Sequence, residues 1–286
     1  MRQRLIPLFS LMLCCLQSVQ AATFMPSIED SRWELVGSRF MCRMTQAIPA
    51  FGMAEFEHEA GEEVRFILRP TDRIHFRDGA YLVAEPAPWQ PGMNARDIGF
   101  VKGDKESGHL HTSTRYAKNM LAALNRGMMP TFTTDQWYGT PESLRVALSA
   151  VNFQAAYPEY VSCVSGLLPV NFRQVARTAV LFTGGGWHLS DSSRKRLDLI
   201  KMYVDNDDSV NAIYVDGHSD SAGRRLANRD LSKKRAEAVT EYLVSKGMDE
   251  AMITTRYHGE RYPVVPNTSK DNRARNRRVT IRLERE

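Results

Sequence analysis

The residues best suited to chemistry lie in the run Asp216-Gly217-His218-Ser219-Asp220-Ser221-Ala222-Gly223 and in the segment after it, which carries Asn228, Leu231, Ser232, Arg235 and Ala236. The run reads as the end of a strand, a Gly-containing loop and the start of a helix. Asn228, Leu231 and Arg235 stand at i, i+3 and i+7, one face of that helix. Backbone N–H groups at a helix start receive anions. A carboxylate in the loop accepts from an ammonium, and an arginine grips a carboxylate through a two-pronged hydrogen bond. With an amide and an apolar floor between them, Asp220 and Arg235 form a set suited to a zwitterion. The same spacing also suits a structural Asp–Arg ion pair with no ligand.

Other chemistries fit less well. Gly217-His218-Ser219-Asp220-Ser221 approaches a nucleophile elbow, but the closing glycine is missing and no triad partners follow, so no catalytic residue is assigned. His109 and His111 have strand spacing but no third ligand in view, so no metal or other cofactor is expected. Gly184-Gly185-Gly186 lacks the Lys-Ser/Thr ending of a phosphate loop. Arg273, Arg275, Arg277 and Arg278 form a basic cluster, but without interleaved aromatics it does not point to nucleic acid.

The elements that must hold the run are regular. Thr178–Phe182, Ala212–Val215 and Ile253–Tyr257 read as strands, and Val279, Ile281 and Leu283 alternate with polar residues as a last strand with one buried face. Leu189–Val204 and Arg224–Lys246 read as helices, the first capped by Ser190 and the second stopped by Gly247. The order β-α-β-α-β-β predicts a sheet with helices on one side. The first half predicts mostly antiparallel β structure. Its strands fall near Arg39–Cys42, Glu63–Leu68 and Ala80–Val83, and its two helices near Arg115–Asn125 and Thr140–Ala150. The fold class is α+β in two domains.

Length and charge agree with that division. The chain has 286 residues, 43% hydrophobic and 25% charged, which excludes wholesale disorder and a disulfide-dense mini-scaffold. Arg2 and Arg4 precede an apolar run over Leu5–Leu16, and Val19-Gln20-Ala21 offers a cleavage site, so residues 1–21 read as a cleaved signal peptide. No later segment of the sequence has the apolar length of a transmembrane span. Residues 22–164 hold 14 basic and 17 acidic side chains, whereas residues 165–286 hold 22 and 16, which places a boundary at 164/165. Cleavage removes Cys14 and Cys15 and leaves Cys42 and Cys163, which allow one disulfide in an oxidising compartment; two buried free thiols are the other reading.

The spaced run Gly217-His218-Ser219-Asp220, Gly223, Asn228, Leu231-Ser232, Arg235-Ala236 and Val239, with Asn276-Arg277-Arg278 near the end, resembles the OmpA-like peptidoglycan-binding domain over roughly residues 170–286. The resemblance implies non-covalent binding of the diaminopimelate of a peptide stem. Asp220 would take the ammonium and Arg235 the carboxylate. Asn228 and Leu231 would shape the groove, and Arg277 or Arg278 would brace the loop or approach the ligand. Ser219 departs from the family's usual Thr, and Gly184–Gly186 from its usual aromatic and acidic turn. The whole architecture, with a signal, a β-rich first half and a lone cysteine pair, more narrowly resembles a periplasmic component of sodium-driven polar flagellar motors. That resemblance implies a first half at the basal body, with MotX as partner, in a ring that helps stator units assemble. A general envelope linker of the OmpA-like class, with no motor role, is the alternative.

Overall fold

The computed structural model describes residues 22–71, 76, 78–90, 92–134 and 143–285. The leader and the Thr140-Pro141 helix start lie outside the described residues. In chain order the strands and helices are β1 (Ala22–Phe24), β2 (Glu34–Gly37), β3 (Met41–Ile48), β4 (Gly52–Glu59), β5 (Arg65–Pro70), β6 (Ala80–Pro86), β7 (Arg96–Val101), β8 (Leu110–His111), α1 (Thr114–Asn125), β9 (Met128–Thr134), β10 (Leu144–Ala147), α2 (Phe153–Ser165) and α3 (Phe172–Val175). There follow β11 (Arg177–Leu181), α4 (Asp191–Val204), β12 (Val210–Gly217), α5 (Arg225–Ser245), β13 (Ile253–Tyr257), α6 (Lys270–Asn276) and β14 (Arg278–Arg285). Among the described residues the sheets run β1-β10-β9-β6-β7, β2-β3-β4-β5-β8 and β11-β14-β12-β13. The class is α+β.

The chain divides into two compact units. The first takes its described residues from 1–34, 45–56 and 65–156, and the second from 35–44, 57–64 and 157–286. The first is organised around aromatics. Phe66 and Phe132 stack at 5.7 Å, and Trp33 meets Phe153 edge-on at 5.1 Å. Three distant buried polar groups are paired there: Trp33 Nε1 donates to the Ser149 carbonyl at 3.1 Å, and the Gln46 amide both donates to Ser149 O and accepts from Ser149 N.

One expected element is corrected. Leu144–Ala147, read as part of a helix, is β10, antiparallel to β9 and parallel to β1. Leu144, Val146 and Ala147 are buried, so sheet pairing outweighs the Thr-Pro start signal. The helix actually present, α2, went unread because Pro158 lies inside it.

In the second unit β14 and β12 form the sheet centre. Val279, Ile281 and Leu283 of β14 and Ile213 and Val215 of β12 are buried against Leu197 and Ile200 of α4 and Ala236, Val239 and Leu243 of α5. Each such aliphatic contributes about 1.5–3 kcal/mol on burial. Both helices therefore cover one face, and the alternate residues Tyr214, Asp216, Thr280 and Arg282 line the other. Gly217 ends β12 where α5 crosses closest; a Cβ there would collide with the Ser232 carbonyl. The unit also holds Ala60, fully buried in the same core, and the Cys42–Cys163 disulfide. The Asn171–Gln174 capping box starts α3, and Gln174 Nε2 also donates to Gly61 O.

Candidate functional site

The C-terminal end of β12 delivers Asp216 to Asp220, and α5 begins five residues later. His218, Ser219 and Asp220 are all buried, because the loop is sewn to its neighbours: His218 N donates to Arg278 O at 2.8 Å and Ser219 N to Gly259 O at 2.9 Å. The Asp220 carboxylate has two partners. Oδ1 accepts from Ala222 N at 3.1 Å and Oδ2 from Arg277 Nη1 at 2.8 Å. Arg277 Nε donates to the Phe182 carbonyl at 3.2 Å, so Arg277 braces the loop against the end of β11.

Arg235 is fully buried. Its guanidinium donates to three carbonyls: Nε to Gly186 O at 2.8 Å, Nη1 to His218 O at 3.2 Å and Nη2 to Thr183 O at 3.1 Å. The Phe182 ring lies 5.4 Å from it. Burial lowers the Arg235 pKa to about 10, with the nearby Asp220 carboxylate opposing the fall. At that value the side chain stays cationic at neutral pH. A guanidinium has five N–H donors. Three are used here, which leaves two for an anion. Arg235 thus ties the Thr183–Gly186 turn to the Asp220 loop, and its truncation would disturb the fold as well as any ligand.

Asn228 is buried and its Nδ2 donates to Glu260 at 2.5 Å; Leu231 is half-buried. Arg278 is placed elsewhere. Successive strand residues point to opposite faces. Arg278 accordingly lies with Asp216, His218, Arg256, His258 and Tyr262 around a separate cavity of about 390 Å³. The structure therefore gathers Asp220, Arg235 and Arg277, keeps Asn228 about two turns of α5 from Arg235, and sends Arg278 to the other side of β14.

Several contributors escaped the sequence reading. Glu260 fixes Asn228. Asn276, fully buried, accepts from Val264 N and donates to Val265 O and Asn267 Oδ1, while Asn267 accepts from Ser221 N. This chain of amides ties the Val264–Asn267 segment to the Asp220 loop. Asn276 belongs to the Asn-Arg-Arg motif, so its signal was present; Glu260 and Asn267 sit in irregular chain with none.

A histidine pair lies behind the loop. His218 and His258 stack at 5.1 Å, and His258 Nε2 lies 2.8 Å from Asp216 Oδ1, which with Oδ2 also holds Arg256. Burial, then the charges of Arg278 and His258, push the His218 pKa down to about 4. Between pH 6.5 and 4 the unfolded chain therefore binds a proton that the folded chain refuses, and stability falls as pH falls through that window. A depression from 6.5 to about 4 corresponds to about 3 kcal/mol. Denaturant unfolding at pH 7 and pH 4 should show that loss, and His218→Gln should remove most of the dependence; an equal slope in both proteins would discount the residue.

The family described as MotY N-terminal domain matches residues 24–169, and the OmpA family matches residues 181–277. The sodium-type flagellar protein MotY of Vibrio parahaemolyticus is 30% identical over 272 residues, spanning 94% of this chain and 92% of that protein. A peptidoglycan-associated lipoprotein of Pseudomonas putida is 30% identical over 134 residues, spanning 47% of this chain and 80% of that protein. The solved peptidoglycan-associated lipoprotein of Burkholderia pseudomallei is 25% identical, over 37% of this chain and 89% of that one, with a TM-score of 0.36.

Proposed function

The chain belongs to the MotY family, and from that membership we propose that it is a periplasmic, non-catalytic component of a flagellar motor. Residues 22–164 associate with the basal body, where MotX is a partner and stator units assemble. Residues 165–286 hold the assembly to peptidoglycan. Among the described residues no helix is long and apolar enough to cross a membrane.

The observation that carries the wall-binding half is the buried Asp220 carboxylate, paired with Arg277 at 2.8 Å and within electrostatic reach of the buried Arg235 guanidinium. Asp220 accepts the ammonium of a diaminopimelate end and Arg235 offers its two spare donors to the carboxylate. Because Arg235 is sealed by the Thr183 and Gly186 carbonyls, the ligand must move that turn. Gly184 and Gly185 suit the movement: space is open where either would carry a Cβ, and Gly185 already has φ 70°.

The test is a chromosomal deletion scored for swimming. Non-motile cells that still carry filaments are expected, with recovery by the intact gene and none by an Asp220→Asn copy. Normal swimming of the deletion strain would contradict a motor role and favour a general envelope linker.

A further inference from the structure

On the flank of α5 turned toward β13 lies a groove of about 510 Å³, separate from the Asp220–Arg235 cluster. Arg225 and Arg229, one turn apart on α5, form one wall, and Arg261 stands in the other. Tyr257 makes the floor, with the Arg229 guanidinium 5.2 Å from its ring centroid, and Leu226 is an exposed apolar edge. Gly259, at φ 60°, lets its loop lie against the Arg229 backbone and so sets the groove's width.

The charge here is unbalanced. Arg225, Arg229 and Arg261 are exposed and make no ion pair among the described residues. Glu260 is the carboxylate among the lining residues, and it already accepts from Asn228. Three cations thus face one engaged anion, in a cavity with room for a short peptide.

We propose that this groove is a second carboxylate subsite for the same wall peptide, taking the free α-carboxylate of the glutamyl residue next to diaminopimelate. The assignment rests on the peptidoglycan reading of the Asp220 cluster. Continuity favours a peptide over a lipid headgroup. Asn228 lies beside Gly223 of the Asp220 loop, stands one turn from Arg225 on the same helix, and is bonded to Glu260 of the groove. A stem peptide seated at Asp220 and Arg235 would extend past Asn228 into the arginines, which pair bidentately with carboxylates.

The experiment uses the mature full-length protein and calorimetry with three ligands: free meso-diaminopimelate, the tripeptide alanyl-γ-glutamyl-diaminopimelate, and that tripeptide with its glutamyl α-carboxylate amidated. Wild type should bind the acid form about 10-fold more tightly than the amide. Arg225→Gln/Arg229→Gln should lose that preference while binding free diaminopimelate unchanged. Equal affinity of wild type for acid and amide, or a preference that survives in the double variant, would overturn the subsite. Failure of wild type to bind free diaminopimelate would instead remove the underlying site. Arginine-dependent retention on phosphatidylglycerol vesicles, without discrimination between the tripeptides, would reassign the groove to a lipid surface.

Discussion

Asp220→Asn is expected to lower sedimentation with purified sacculi by about 100-fold, the scale of losing one partner from a buried charge pair. The substitution keeps shape, and its one amide oxygen can still accept from Ala222 N, but the amide NH2 then faces the Arg277 Nη1 donor that the second carboxylate oxygen satisfies. What it removes is the negative charge. An arriving ammonium would then meet Arg235 and Arg277 with no carboxylate between them. The same pairing carries a structural cost, since Asp220 and Arg277 retain only 12% and 16% side-chain exposure. Weakening that bond should cost about 1–3 kcal/mol. Binding must therefore be read per folded molecule, well below the melting temperature. Full sedimentation of the variant would mean that Asp220 serves the loop alone.

Removing the disulfide should have the largest effect on stability. Cys42 and Cys163 are 121 residues apart in sequence and both belong to the second compact unit. A cross-link closing a loop of that length restricts the unfolded chain by about 5 kcal/mol in the entropic treatment, with losses of about 2–5 kcal/mol typical on removal. Cys42 is fully buried, and Gly37 passes so near Cys163 that a Cβ would strike its sulfur. Both observations indicate a bond built into the packing. Cys163→Ser, or reductant, should shift the denaturant midpoint strongly while folded protein still binds sacculi. An unchanged midpoint would show the cross-link to be idle.

What could be read without coordinates follows from periodicity. The second half was legible because its strands alternate and its helices carry caps: Ser190 caps the start of α4 and Gly247 follows the end of α5. In the first half β10 was missed because four residues offer too little pattern against a Thr-Pro start signal. Residues 35–44 and 57–64, with no unusual composition, give Phe40 and Ala60 to the packing of the second unit. Pairings between residues more than a hundred positions apart leave no local trace.

At the site, residue types and spacing brought Asp220, Asn228, Leu231 and Arg235 into view, since helical geometry alone aligns the last three. Sequence did not show that Arg235 spends three donors on carbonyls, or that Asp220 pairs first with Arg277. Those facts depend on where the turn after β11 lies, and three glycines specify no direction. Arg277 and Arg278 could not be told apart until strand β14 fixed which of them points toward Asp220.

The most direct measurement is a calorimetric titration of the mature protein with the tripeptide alanyl-γ-glutamyl-diaminopimelate and, separately, with alanyl-γ-glutamyl-lysine. The lysine residue matches the ligand's chain and distal ammonium but lacks the carboxylate at that end. If Asp220 and Arg235 together grip a zwitterionic side-chain end, the diaminopimelate tripeptide binds with 1:1 stoichiometry, the lysine tripeptide does not, and Asp220→Asn abolishes the heat. Equal binding of the two tripeptides, or none of the diaminopimelate form, would contradict it.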